Sequence, residues 1–351
     1  MLMKVDEVLM LVICNSFGQE RSVYGAYHLL KGKKSAQTIQ DGHFFAALPY
    51  FGLLKHLKRE EINDIIHSFE ERGMAKRLAD DRIEITEKGR KRIEEYFEQR
   101  TYLMYLQGWS YDYLAKIFWQ RFTLYIQTLT HVHEQSFQFY PVSHNKSIQR
   151  WVKQTLPSTK GERAEQLVEL YKECETFLLT CYKEQAQSFV LQLSGVTQIG
   201  HTLLQVARIL NRPFDEVRIM HIACIHQLLA TVTEEEDKFP RLSMFTKDLT
   251  KAATLTESTK ATLDYLKRGL TVDQIAAKRK LKKATIEDHI VELALEEEKF
   301  SIDHYVGLNE QEEILQAAEQ LNTHKLREIK LLVNEQISYF MIRLTLAKRR
   351  L

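Results

Sequence analysis

Six consecutive positions, Lys278-Arg279-Lys280-Leu281-Lys282-Lys283, carry five cationic side chains, and Thr285 and His289 follow closely. The chemistry open to such a cluster is electrostatic. Ammonium and guanidinium groups neutralise phosphates, and a hydroxyl or imidazole adds a hydrogen bond. A second, thinner set is Lys76, Arg77 and Arg82. Covalent chemistry finds less support. Gly195-Val196-Thr197-Gln198-Ile199-Gly200-His201-Thr202 has the glycine spacing of a phosphate-binding loop, but His201 stands where that loop needs a lysine for the β- and γ-phosphates. No later apolar strand ends in paired carboxylates to hold magnesium. The segment reads as a turn capping a helix that buries Leu203, Leu204 and Ile209. His131-x-His133 and His221…His226 lack the i, i+4 pairing with further ligands that zinc requires, and no G-x-S-x-G elbow exists. The expectation is a protein that is not an enzyme, with no catalytic residue, no metal and no cofactor.

The basic cluster needs a scaffold, and its surroundings supply a helical one. A first helix is predicted from about Ser258 to Arg268, ended by Gly269. Thr271 and Gln274 form a capping box that opens a second helix. Ile275 and Ala276 face inward, Leu281 marks the turn, and Ile286, Ile290 and Leu293 form one stripe of a third helix. Three short helices with a tight turn before the last are the pattern of a helix-turn-helix. The basic turn would then approach nucleic acid. The rest of helix three carries Glu287, Asp288, Glu292 and Glu296 to Glu298, carboxylates that repel a phosphate backbone. DNA or RNA contact and a protein-docking module with a solvated basic turn both fit this pattern.

These residues carry a resemblance. Gln274-Ile275-Ala276, Arg279, Leu281, Thr285-Ile286 and His289 resemble the pattern IA..R.L...TI..H of the helix-turn-helix at the C-terminus of some RecQ-type DNA helicases. Leu326-Arg327, Ile329-Lys330 and Ile337-Ser338-Tyr339-Phe340-Met341-Ile342-Arg343-Leu344 are similar to the closing helices of that module. The likeness runs over residues 258 to 348, about a quarter of the chain. Lys282 stands where family members often carry serine, leaving the N-cap of helix three open.

Elsewhere the chain reads as follows. Its 351 residues suffice for two or three domains, and 44% apolar content supplies their cores. The formal net charge of +2 means that any nucleic-acid contact comes from local patches. Only 13 glycines and 5 prolines argue for helices with short connections. Cys14, Cys174, Cys181 and Cys224 show no C-x-x-C spacing and are expected to be reduced thiols in a cytoplasmic protein. The N-terminus matches neither a signal peptide nor a membrane span.

Residues 1–98 form a predicted winged-helix-like domain. A hairpin near 74 to 85 holds Lys76, Arg77 and Arg82, placed to lie along phosphates or, equally, to join a protein-protein module. Ser35 or Thr38 is positioned to cap a helix. Residues 99–250 form a helical middle domain whose aromatics, from Trp109 to Tyr125, read as core rather than base-stacking platforms. Its helices are placed at about 162 to 192, 197 to 210 and 214 to 232. The acidic run Glu234 to Asp237 with Pro240 reads as a linker into a C-terminal helix-turn-helix domain at 251–351. The expected fold class is mainly α with one small β-hairpin.

This layout resembles the YpbB-like proteins, and Arg21-Ser22-Val23-Tyr24 and Gln37-Thr38-Ile39-Gln40-Asp41 look like that family. The resemblances imply a DNA-binding accessory protein of low sequence specificity. It would partner a RecQ-type helicase in DNA repair or recombination, supplying binding but no motor. The rival readings are a transcriptional regulator and a scaffold without nucleic-acid contact.

Overall fold

The structure, a computed structural model, describes residues 3–249 and 255–348. It is 65% helical. In chain order the elements are α1 (Val5–Phe17), α2 (Val23–Lys31), α3 (Ala36–Phe44), α4 (Glu61–Glu71), β1 (Ala75–Arg77), β2 (Ile83–Ile85), α5 (Glu87–Glu98), α6 (Gly108–His133), α7 (Lys146–Thr155), α8 (Lys160–Leu178), α9 (Lys183–Val190), α10 (Leu203–Ile209), α11 (Phe214–Glu234) and α12 (Pro240–Ser243). The C-terminal part adds α13 (Glu257–Lys267), α14 (Val272–Arg279), α15 (Lys283–Glu296), α16 (Leu308–Leu321), α17 (Leu326–Leu332) and α18 (Tyr339–Lys348). The strands pair antiparallel, Ala75 opposite Ile85 and Arg77 opposite Ile83. The mainly α fold with one hairpin is thus the one expected. No helix among the described residues is long and apolar enough to cross a membrane.

The chain does not pack as three consecutive domains divided at 98 and 250. It forms two compact units, Met1–Val8 with Arg92–Ala252, and Leu9–Lys91 with Ala253–Leu351. The physical reason lies in α15. Beyond the Ile286, Ile290 and Leu293 stripe, Val291 and Ala294 are buried as well. A helix that is apolar on more than one face must be covered on more than one face. Helices α13, α14 and α18 cover part of it, and α3 covers more. Phe44 of α3 joins the same core as Ile275, Ile286, Ile314 and Ile342. Around this apolar contact sit polar ones. His43 Nε2 lies 2.8 Å from Glu296 Oε1, and Arg343 donates to Gln40 Oε1 at 3.1 Å and Asp288 Oδ1 at 2.6 Å. The two N-terminal stretches singled out above also meet, because Arg21 Nε donates to Asp41 Oδ1 at 2.7 Å. Ser35 caps α3 by accepting from the Thr38 N–H.

The unit containing the middle of the chain is built on the aromatics. Phe118, Phe122, Tyr125 and Phe245 are buried together, with Phe118 stacked on Phe122 at 5.5 Å. Phe118, Phe122 and Tyr125 thus fill a core, as expected, whereas Tyr113, Phe137 and Tyr140 are exposed. Phe239, Leu242 and Phe245 belong to this core, so the segment after the acidic run is part of the unit and not a linker. The helix expected over 162 to 192 is broken at 179–182, which separates α8 from α9. The stretch before α10 is a turn, as expected, with Thr202 and Gln205 forming a capping box. The helix it caps buries Val206 and Ala207, whereas Leu204 and Ile209 are exposed and Leu203 is half-buried.

Candidate nucleic-acid interface

The three helices expected around the basic turn are present with the expected caps. Thr271 accepts from Gln274 N, and Gln274 Oε1 accepts from Thr271 N at 2.9 Å. Lys280 ends α14 in the left-handed region, at φ 53°. Lys282 takes the N-cap position of α15 and makes no side-chain cap hydrogen bond, as its replacement of serine implied. The N-terminus of α15 therefore keeps free N–H groups beside two lysines, a pre-formed place for an anion.

The ten residues proposed from sequence fall into three sets. Lys278, Lys280, Lys282 and Lys283 are exposed and share the turn. Lys280 and Lys282 have no ionic partner among the described residues. Lys278 Nζ stands 6.0 Å over the Tyr265 ring, and Lys283 Nζ pairs with Asp273 at 3.1 Å. Thr285 is half-buried one turn further in.

The second set points inward. Arg279 donates from NH1 to the Ser258 carbonyl at 2.7 Å and from NH2 to the Ser258 hydroxyl at 2.9 Å, and it also bonds Thr262 Oγ1. His289 is buried, its Nδ1 2.8 Å from Thr262 Oγ1. Burial, and secondarily the Arg279 charge, hold the imidazole below its usual pKa and so keep it neutral. Arg279 and His289 therefore tie α13, α14 and α15 together and are not placed to touch a nucleic acid. Glu292 works likewise: buried, it accepts from Thr256 and from the Thr259 hydroxyl at 2.7 Å.

The third set is on the hairpin, away from the turn in sequence and in contacts. Lys76 is exposed and lies opposite Glu84 in the strand register. Arg77 pairs with Glu70 at 3.6 Å and Arg82 with Asp80 at 3.3 Å. Arg82 also donates to the Ala79 and Gln19 carbonyls. The wing is thus largely neutralised by its own neighbours.

One cation was not anticipated. Exposed Arg268 lies 5.7 Å from the Tyr265 ring that also faces Lys278, which adds a charge beside the turn. Its i, i+3 spacing from Tyr265 was the available signal. The cover over α15 was not anticipated either. With Ile286, His289, Ile290, Val291, Glu292, Leu293 and Ala294 all buried, this helix offers a ligand its first turn and, beyond it, chiefly the carboxylates of Glu287 and Asp288, which repel phosphate. A recognition helix that reads base edges needs a free outer face.

The phosphate-loop look-alike is explained sterically. A Cβ at Gly200 would lie 2.2 Å from the Gln192 carbonyl oxygen, so the glycine permits a close backbone approach. His131, His221 and His226 are held separately, by Ser136, Gln192 and the Gln107 N–H.

A family model described as a helix-turn-helix domain matches residues 258–346. The chain is similar to protein YpbB of Bacillus subtilis (strain 168), with 33% identity over 345 residues, covering 98% of this chain and 97% of that protein. No solved structure matches.

Proposed function

The chain belongs to the family of protein YpbB, and we propose that it is a DNA-binding accessory protein that grips the phosphate backbone with the turn between α14 and α15. The observation that carries this reading is the covering of α15. It leaves the helix N-terminus with Lys280, Lys282 and Lys283 as the exposed basic surface, one suited to phosphates and not to base edges. Binding is then of low sequence specificity and steeply salt-dependent. The finer reading is an adaptor for a RecQ-type helicase in repair or recombination. It rests on the residue pattern from Gln274 to His289 and on the closing Ile337 to Leu344 stretch. In that role the protein adds affinity for DNA and has no catalytic part of its own.

The test is a titration of two duplexes of unrelated sequence, a single strand and a fork at two salt concentrations. Equal affinities for the two duplexes with a steep salt slope support backbone gripping. A strong preference for one duplex instead supports a transcriptional regulator, and no binding at all supports a scaffold. Helicase partnership is tested separately, by mixing purified protein with a RecQ-type helicase and measuring co-elution and DNA affinity of the pair.

A further inference from the structure

The stretch from Gln135 to Gly161 contains no aspartate or glutamate, yet it carries Lys146, Arg150, Lys153 and Lys160. In a chain with 49 basic and 47 acidic residues, so long a gap leaves these cations without a carboxylate nearby in sequence. Helix α7 orders three of them. Lys146, Arg150 and Lys153 follow at i, i+4 and i+7, so they form one stripe, with a rise of about 6 Å over each four residues. Ile148 and Val152 are buried on the opposite face and hold the helix to the aromatic core. All three cations are exposed, and none makes an ion pair among the described residues.

The loop before α7 presents two large rings to water, Phe137 at 71% exposure and Tyr140 at 93%. Its backbone is tied down from both sides. Buried Gln127 of α6 donates from Nε2 to the Tyr140 carbonyl at 3.1 Å and accepts from the Val142 N–H at 2.9 Å. Gln149 of α7 donates to the Ser143 carbonyl at 3.0 Å. Phe139, between the two exposed rings in sequence, stacks on His131 at 4.3 Å. A loop held in this way loses little further freedom when a ligand settles on its rings. Tyr140 precedes Lys146 by six residues, which keeps the two within about 20 Å.

We propose that this loop and α7 form a binding surface for a single-stranded polynucleotide. Phe137 and Tyr140 stack on unpaired bases, and Lys146, Arg150 and Lys153 hold the phosphates. Exposed rings match the flat face of a base, which a duplex hides in its stack. Cations repeating along one helix face match the successive charges of one strand. Rings beside cations are the combination by which proteins hold single strands without reading their sequence. The surface lies in the compact unit that does not carry the turn between α14 and α15, and it does not rest on the reading of that turn. Base faces and phosphates are common to DNA and RNA, so the test carries both.

The test uses the full chain and fluorescence anisotropy with labelled oligothymidylate, oligouridylate and a DNA duplex at several salt concentrations. Replacing Phe137 and Tyr140 together by alanine should weaken binding of one or both single strands by about tenfold or more and leave the duplex nearly unchanged. Tyr140→Phe alone should bind as wild type, because the ring and not the hydroxyl stacks. Replacing Lys146, Arg150 and Lys153 by alanine should flatten the log–log salt dependence for single strands by about 2, at roughly 0.7 per phosphate contact. Single-strand binding should survive alanine at Lys278, Lys280 and Lys282, whose effect on the duplex tests the turn separately. All the side chains replaced here are exposed, and circular dichroism checks that each variant is folded. Single-strand affinity unchanged in both the ring and the α7 variants overturns the proposal. So does an equal loss for duplex and single strand in the ring variant, or capture by these residues of phosphatidylglycerol vesicles with no binding of either strand.

Discussion

The turn between α14 and α15 and the hairpin of β1 and β2 look alike as sequence, each a short stretch with several cations. In three dimensions they differ. The hairpin sits beside the acidic end of α4 and its own aspartates, so Arg77 and Arg82 find carboxylates within 4 Å. The turn projects past its neighbours and leaves Lys280 and Lys282 exposed without an ionic partner among the described residues. Counting basic residues therefore overstates the hairpin. What matters for a phosphate is charge not already answered within the protein, at a helix end whose N–H groups add to it.

The largest expected effect comes from the turn. Replacing Lys278, Lys280 and Lys282 together by alanine should flatten the log–log salt dependence of DNA binding by roughly 2 to 3, about 0.9 per lost phosphate contact, and weaken binding by on the order of tenfold or more at low salt. Fluorescence anisotropy at several salt concentrations measures both, and an unchanged slope would break the comparison. Next in size is Arg279→Gln. Because Arg279 bonds Ser258 and Thr262, its loss should cost about 2 kcal/mol of stability, read by chemical denaturation. The salt slope measured on the folded protein should not change. A slope change would mean that the guanidinium faces DNA after all.

A smaller effect concerns acid. The His289 pKa is lowered from 6.5 by burial and by Arg279, so below that value the unfolded chain takes up this proton more readily than the folded one. The stability contribution is full above pH 6.5 and is lost as the pH falls toward the folded value. His289→Asn should remove that part of the acid sensitivity in denaturation curves taken between pH 7 and 5. The smallest effect belongs to the hairpin: alanine at Lys76 and Arg77 should change DNA affinity by less than about twofold, since Glu84 opposite Lys76 and Glu70 beside Arg77 offset their charge locally. A loss matching that of the turn would put the wing back on the DNA.

The helix-turn-helix was legible because its signals are local. The Thr271–Gln274 box, the break at Gly269 and the stripe through Ile286 and Ile290 each lie within one or two turns of helix. The inward roles of Arg279 and His289 were hidden, since a cation in a basic run looks like its neighbours until Thr262 is seen between them. The cover from α3 was harder still, because Gln40 and Arg343 lie at opposite ends of the chain. One trace of it was present: Val291 and Ala294 widen the apolar surface of α15 beyond the Ile286, Ile290 and Leu293 stripe.

The unit that carries the turn is assembled from the first and last parts of the chain, and this has a consequence for biosynthesis. The ribosome delivers α3 early and its partners α15 and α18 late, with the whole stretch from Arg92 to Ala252 made in between. At about 5–20 residues per second that stretch takes on the order of ten to thirty seconds. Throughout this interval α2 already covers one side of α3, but Phe44 lacks the core it packs into and is open to chaperones and proteases. A message truncated before α15 leaves Phe44 so permanently, and the shortened product should be cleared rather than accumulate.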